Sequence, residues 1–268
     1  MTKKLYHRVL TIAGSDSGSG AGIQADLKTF SALGCFGMSA ITALTAQNTR
    51  EVRAIESISP SFVEHQLEAV LEDIGVDAIK IGMLFSSEII HVVAKILKKY
   101  NLKNIVLDPV MIAKSGDSLL KQEATDALVK NLIPLSHLIT PNLPEASVLL
   151  GRPIKTKEEM EEAATDLLRL GSNAVLIKGG HLTLNDSSDF LLTKRKKIWL
   201  DQERIETPNA HGTGCTLSSA IAAHLAKNYE IEEAVILSKQ YLSAALKKGS
   251  EFQIGKGHGP VHHFHHWW

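Results

Sequence analysis

The string His211-Gly212-Thr213-Gly214-Cys215-Thr216-Leu217 opens a stretch whose apolar spacing predicts a helix over Thr213–Lys227. Glycines at a helix start leave backbone N–H groups free to converge on an anion, and the macrodipole favours negative charge there. A cysteine so placed is expected to have a lowered thiol pKa and an appreciable thiolate fraction. The alternative for Cys215 is a small buried thiol with no chemistry.

Four other segments carry residues of the same kind. Ala13-Gly14-Ser15-Asp16-Ser17-Gly18-Ser19-Gly20-Ala21-Gly22-Ile23-Gln24-Ala25-Asp26 follows the first apolar run directly. It is not a P-loop, because no Gly-Lys-Ser/Thr follows, and Ile23 breaks Gly-x-Gly-x-x-Gly. Its glycines would let a ligand approach the backbone, with Asp26 accepting hydrogen bonds from a ligand's amino group. A turn that merely caps a helix is the other reading. Asp108-Pro109-Val110-Met111 sets a carboxylate at a strand end, suited to a hard cation or to a structural cap. In Thr140-Pro141-Asn142-Leu143-Pro144-Glu145, Asn142 and Glu145 have capping-box spacing, which serves with or without a ligand role. Lys178-Gly179-Gly180-His181 would bring a lysine to a phosphate beside close backbone, or simply decorate a surface turn.

The elements that must position these residues alternate along the chain. Strands are predicted at Arg8–Ala13, Met38–Leu44, Ala54–Ile58, Ala78–Ile81, Ile105–Leu107, Leu138–Thr140, Val175–Ile177, Phe190–Thr193 and Lys196–Leu200. Helices are predicted around Ile23, Leu27, Phe30 and Leu33, and over Phe62–Asp73, Ser87–Tyr100, Leu119–Leu132, Lys157–Leu170, Thr213–Lys227 and Ile231–Lys248. Such alternation implies an α/β fold with a mostly parallel sheet covered on both faces, in one domain over residues 1–268. The last two strands are separated only by Lys194-Arg195 and read as an antiparallel hairpin at the sheet's edge. In such sheets ligands collect beyond the C-terminal strand ends, where all the segments above fall.

Composition excludes several classes. Lys+Arg and Asp+Glu number 29 each, so the formal net charge is zero, against the basic excess of a nucleic-acid binder. The basic run Lys194–Lys197 reads as a solvated turn. Two cysteines, Cys35 and Cys215, form no disulfide framework and suit a reducing compartment. The N-terminal residues lack the apolar run of a signal peptide, and no stretch reaches the roughly 18 apolar residues of a membrane span. A cytoplasmic protein is the expectation.

Taken in order, the segments resemble the ribokinase-like kinases: Gly-rich substrate segment, Asp after a central strand, Asn-x-x-Glu, Lys-Gly-Gly, then a Gly-Thr-Gly anion hole. Gly-Thr-Gly-Cys, in place of the sugar kinases' Gly-Ala-Gly-Asp, resembles the vitamin-kinase branch. Leu10–Asp16, Gly20–Asp26, Lys80-Ile81-Gly82-Met83-Leu84, Ile139–Ala146 and Gly257-His258-Gly259-Pro260-Val261-His262-His263-Phe264 resemble the hydroxymethylpyrimidine/phosphomethylpyrimidine kinases of thiamin synthesis, over essentially the whole chain.

The resemblance implies a three-layer α/β/α sandwich with a small antiparallel edge hairpin, and a homodimer. It implies an aminopyrimidine substrate held by Gly14, Asp26, Gln47 and Met83, and ATP as phosphoryl donor. Asp108 and Glu145 would organise Mg²⁺, while Asn142, Lys178 and Gly180 would serve the phosphates. Gly212, Thr213 and Gly214 would stabilise the transferring group, with Cys215 as general base. The histidines of residues 258–268 are expected to pack or to meet a second subunit rather than to hold a metal. The closest rival is a pyridoxal or pyridoxine kinase of the same fold. A rival of another class is a non-catalytic ligand-binding protein on this scaffold.

Overall fold

A computed structural model describes residues 4–111, 122–180 and 187–268. Its centre is a nine-stranded sheet in the order β3-β2-β1-β4-β5-β6-β7-β8-β9. The strands are β1 (Arg8–Asp16), β2 (Phe36–Gln47), β3 (Val52–Ser57), β4 (Ala78–Ile81), β5 (Ile105–Leu107), β6 (Leu138–Ile139), β7 (Ala174–Ile177), β8 (Asp189–Thr193) and β9 (Lys197–Leu200). From β2 through β7 all neighbours are parallel. The middle strands β4 to β7 are buried at every position, as near-continuous apolar runs require when both faces are covered.

Two apolar layers flank the sheet. On one face Leu10, Ile12, Ile79 and Ile81 pack with Val63, Ile90, Val93, Leu128 and Met160. These come from α2 (Pro60–Asp73), α3 (Ser87–Lys99), α4 (Gln122–Asn131) and α6 (Lys157–Arg169), and α5 (Leu143–Leu150) joins the same layer. On the other face Val9, Ala78, Val106 and Leu176 pack with Phe30, Ile221 and Val235. Those helices are α1 (Gly22–Ala32), α7 (Thr213–Ala226) and α8 (Ile231–Gly249). Helix α7 is buried at every residue from Thr216 to Ala226 and lies across β1, β4 and β5 between α1 and α8. A helix buried around its circumference, here with small residues and hydrogen-bonded hydroxyls among the apolar ones, belongs at the centre of a layer.

The three-layer sandwich and the β8–β9 hairpin match the expectation. The hairpin connection is Lys194–Lys196 rather than two residues, because β9 begins at Lys197. Without a glycine or asparagine, the Thr193 hydroxyl oxygen takes the turn's N–H groups from Arg195 and Lys196 at 3.2 and 2.9 Å. Three details differ further. β3 adds an antiparallel strand at the opposite edge. β1 runs three residues beyond Ala13, so the Gly-rich loop begins after Asp16. The described part of the fourth predicted helix is Gln122–Asn131, with Leu119 outside the described residues and Leu132 in the turn before Pro134. Among the described residues no helix is long and apolar enough to cross a membrane.

The chain leaves β1 for β2 on one side and returns to β4 on the other. That reversal of direction opens a crevice at the C-terminal ends of β1 and β4, the usual ligand position in a sheet of this kind. The β1–β2 register also shifts between Ala13 and Ser15, placing an irregularity at Gly14 beside the crevice.

Candidate active site

Helix α7 begins without a side-chain cap. Its N-cap is Gly212 at φ +78°, and a Cβ there would lie 1.8 Å from the Gly20 carbonyl oxygen. Only glycine accommodates both that conformation and that contact. By contrast, Ser59, Ser86, Asn142 and Thr156 cap α2, α3, α5 and α6 through their side chains. The first-turn N–H groups of α7 therefore remain for an anion.

A charged cluster faces this turn. Lys178, at the end of β7, donates to Asp108 Oδ1 at 2.7 Å and stands 3.9 Å from Glu145 Oε2. A Cβ on Gly214 would meet Lys178 Nζ at 3.3 Å and Asp108 Oδ2 at 3.5 Å, so the helix start abuts the cluster. Asp108 also accepts from Thr140 Oγ1 at 3.0 Å. Burial works against its charge, but Lys178 and Lys80 outweigh burial and hold the carboxyl below the usual range. Glu145 is pushed up to about 7, first by burial and then by Asp108, against the opposing pull of Lys178. Burial alone would lower Lys178, yet Asp108 and Glu145 raise it, so the ammonium stays charged. Asn142 and Glu145 form the reciprocal capping box that their spacing predicts, each accepting from the other's backbone N–H at 2.8 Å. Gly180 is exposed and its carbonyl accepts from Arg204 at 2.8 Å. His181 lies outside the described residues.

The other wall is the loop after β1. Asp16 accepts from Gly18, Gly20 and Ala21 N–H groups at 2.8, 3.1 and 2.9 Å, and pairs with His211 Nε2 at 2.8 Å. Burial raises Asp16, but the His211 and backbone hydrogen bonds more than offset it and leave its carboxyl low. His211 in turn stands 3.3 Å from Gln47 Nε2. Met83 reaches over Gly14, where a Cβ would meet its Cε at 2.5 Å. Gly14 and Met83 thus meet beside the crevice, while Gln47 is linked to the Asp16 loop through His211.

Two expectations change. Cys215 is half-buried, and desolvation pushes its thiol up to about 11. Lys80 and the Gly22 N–H pull it down, while Asp26 and Asp108 push it up again. The helix start does not make a free thiolate here, because removal from water and two nearby carboxylates prevail. Asp26 is fully buried, and its oxygens are taken by Lys80, Thr11 and Ser219. These partners take up the carboxylate in this structure, where a ring contact was expected.

Sequence reasoning missed Lys80, Ser219 and the Asp16–His211 pair. A lysine inside the otherwise apolar run Ala78–Ile81 was the available signal, since such a lysine is seldom buried without a partner.

Comparison with known proteins gives the family. Residues 16–262 match the family model described as phosphomethylpyrimidine kinase. The chain belongs to that family. It is 52% identical to the hydroxymethylpyrimidine/phosphomethylpyrimidine kinase of Rhizobium meliloti, covering 97% of both chains. It is 50% identical to the thiamine biosynthesis bifunctional protein ThiED of Geobacter sulfurreducens, covering 95% of this chain and 52% of that protein. Among solved structures, the pyridoxal kinase of Staphylococcus aureus in complex with AMP-PCP and pyridoxal superposes with a TM-score of 0.90 at 36% identity. That match covers 98% of this chain and 96% of the other. As a member of the phosphomethylpyrimidine kinase family the chain is a phosphotransferase, and the α7 start with Lys178 and Asp108 is its candidate transfer centre.

Proposed function

We propose that this chain phosphorylates 4-amino-5-hydroxymethyl-2-methylpyrimidine with ATP, then phosphorylates the monophosphate to the diphosphate, in the synthesis of thiamin diphosphate. The observation that carries this is the approach of Gly214 to Lys178 and Asp108, which sets an uncapped helix start against a fixed cation. Phosphoryl transfer depends mostly on positioning and charge stabilisation, and that pairing offers both.

In the first step the substrate hydroxyl oxygen bonds to the γ-phosphorus as the bond to the ADP oxygen breaks. Cys215, as thiolate, takes the hydroxyl proton. The Gly212–Cys215 backbone and Lys178 receive the charge of the transferring group. Gly14, Gln47 and Met83 hold the ring, with Gln47 matching an edge that carries both donors and acceptors. Asn142 and Gly180 serve the ATP phosphates.

Among the described residues no three His, Cys, Asp or Glu side chains group as a metal cage. Asp108 and Glu145 still fit Mg²⁺, which is commonly held by one or two carboxylates, waters and substrate phosphates. When bound it neutralises phosphate charge. A homodimer in the cytoplasm completes the reading, and sedimentation tests the oligomeric state.

The experiment is a coupled ATP-consumption assay with the hydroxymethylpyrimidine, counting product phosphates by mass spectrometry, with pyridoxal run in parallel. Monophosphate followed by diphosphate is expected. Turnover of pyridoxal alone would move the substrate to the pyridoxal kinases, which share the fold. Absence of ATP consumption with either compound would overturn the catalytic assignment.

A further inference from the structure

Four fully buried side chains form a closed polar knot behind the transfer turn. Asp26 Oδ2 accepts from Thr11 Oγ1 at 2.6 Å, and Oδ1 from Ser219 Oγ at 2.6 Å. Lys80 Nζ lies 2.9 Å from both carboxylate oxygens, and neither side chain has any exposure. The four residues come from β1, α1, β4 and α7. Ser219 stands one helical turn beyond Cys215, on the side of α7 that meets α1. Lys80 touches the other side of the crevice too, since a Cβ on Gly82, beside Met83, would lie 2.8 Å from its Nζ.

A buried ion pair is an uncertain source of stability, because desolvation offsets most of its attraction. Holding two charges and two hydroxyls in the middle of an apolar layer is therefore explained better by what they fix in place. Asp26 has its main acceptor directions filled, with four hydrogen bonds on two oxygens, and has no exposed surface to offer a ring. Its one tie to α7 is Ser219. Through that tie the helix carrying the anion-binding turn is referenced to β1, which carries Gly14, and to β4, which leads into Met83.

We infer that Asp26 and Lys80 are positioning residues for phosphoryl transfer, which set the Gly212–Cys215 turn against β1 and β4 through Ser219 and Thr11 without touching the substrate. This rests on the proposed function, because it takes the ring and the transferring phosphoryl group to meet at this turn. A misplacement of about 1 Å in such a turn costs about 100-fold in rate.

Ser219→Ala removes only the tether, Asp26→Asn removes the charge that holds Lys80, and Asp26→Asn with Lys80→Met removes the pair without stranding either partner. Each is compared with the wild type for pyrimidine affinity by calorimetry without ATP, for kcat of both phosphorylations, and for Tm. Positioning predicts that Ser219→Ala and Asp26→Asn lower kcat of both steps by about 10- to 100-fold, with the pyrimidine Kd within about threefold of wild type. The double variant is expected to recover Tm relative to Asp26→Asn without recovering kcat. A Kd weakened more than about tenfold with kcat kept would make Asp26 a ring contact and overturn the inference. A lowered Tm with kcat and Kd unchanged per folded molecule would reduce the knot to a structural one and overturn it equally.

Wild-type protein that neither binds nor phosphorylates the pyrimidine would overturn the functional reading instead. In that event carbamidomethylation of Cys215 by iodoacetamide, followed by peptide mass spectrometry, decides the positioning role. Ser219→Ala, which leaves the Asp26 charge in place, is the variant read: a faster reaction supports a turn that the knot holds closed, and an unchanged rate overturns it.

Discussion

Cys215 shows how a local rule and its surroundings can disagree. A helix start alone argues for a lowered thiol pKa, but desolvation here pushes it up to about 11. At pH 7 only about one thiol in ten thousand is then ionised. Because the thiolate is the basic form, kcat for the first phosphorylation is expected to climb with pH between 7 and 9. The second step should change little above pH 7, since a phosphomonoester with a second pKa near 6 is already largely dianionic. Cys215→Ser is therefore expected to slow the first step by about 100-fold or more and the second far less. Parallel pH profiles for the two products, resolved by mass spectrometry, check both statements. Equal losses in the two steps would assign the thiol another role.

At the scale of elements, the legible part was whatever neighbouring residues decide among themselves. The boundaries of β4 and β5 follow directly from short apolar runs, and the α5 capping box follows from Asn142 and Glu145. That box also aims Glu145 at Lys178, so cap and site share one side chain. Asn142→Ala should cost about 1 kcal/mol of stability, measured by urea unfolding. It should also lower activity beyond that loss, because the side chain proposed to serve the ATP phosphates is gone, while Glu145 keeps its bond to the backbone N–H of residue 142. Activity per folded molecule equal to wild type would confine Asn142 to capping. The extent of β1 was less legible, since Ser15 and Asp16 join the strand through tertiary pairing with β2, and Ser15 also bridges to Gly22. The antiparallel approach of β3 to β2 leaves no mark in the composition of either strand.

At the scale of the molecule, the C-terminal segment closes the site from behind. His211 N–H donates to the Gly259 carbonyl at 3.0 Å, and His263 Nε2 meets Thr216 Oγ1 on α7 at 3.1 Å. His262 packs on Phe252 and Trp268, so the histidine-rich end is built into the fold. Burial pushes His263 down to about 3 and His224, also on α7, down to about 4. Both stay neutral in the folded state while the unfolded chain binds protons below about pH 6.5. Stability therefore falls as pH drops from 6.5 toward those values, by up to about 1.4 kcal/mol per pH unit for each histidine. Urea unfolding at pH 7 and pH 5 should show the loss, and His263→Gln should flatten it. A pH-independent stability over that interval would contradict burial of the neutral rings.

The amino-acid sequence by itself determined the alternation of strands and helices, the mostly parallel sheet, and the segments bearing Gly14, Asp108, Asn142, Lys178 and Cys215, while Gln47 and Met83 came from the family resemblance alone. Apolar periodicity, capping chemistry and glycine placement act over a few residues, so they can be read without the fold. Only the tertiary structure decided that Asp26 faces Lys80 and Ser219, that Asp16 meets His211, and that the Cys215 thiol is raised rather than lowered. Those outcomes depend on which side chains share a buried volume across 50 to 200 residues of chain, and on how much water the packing removes from each charge.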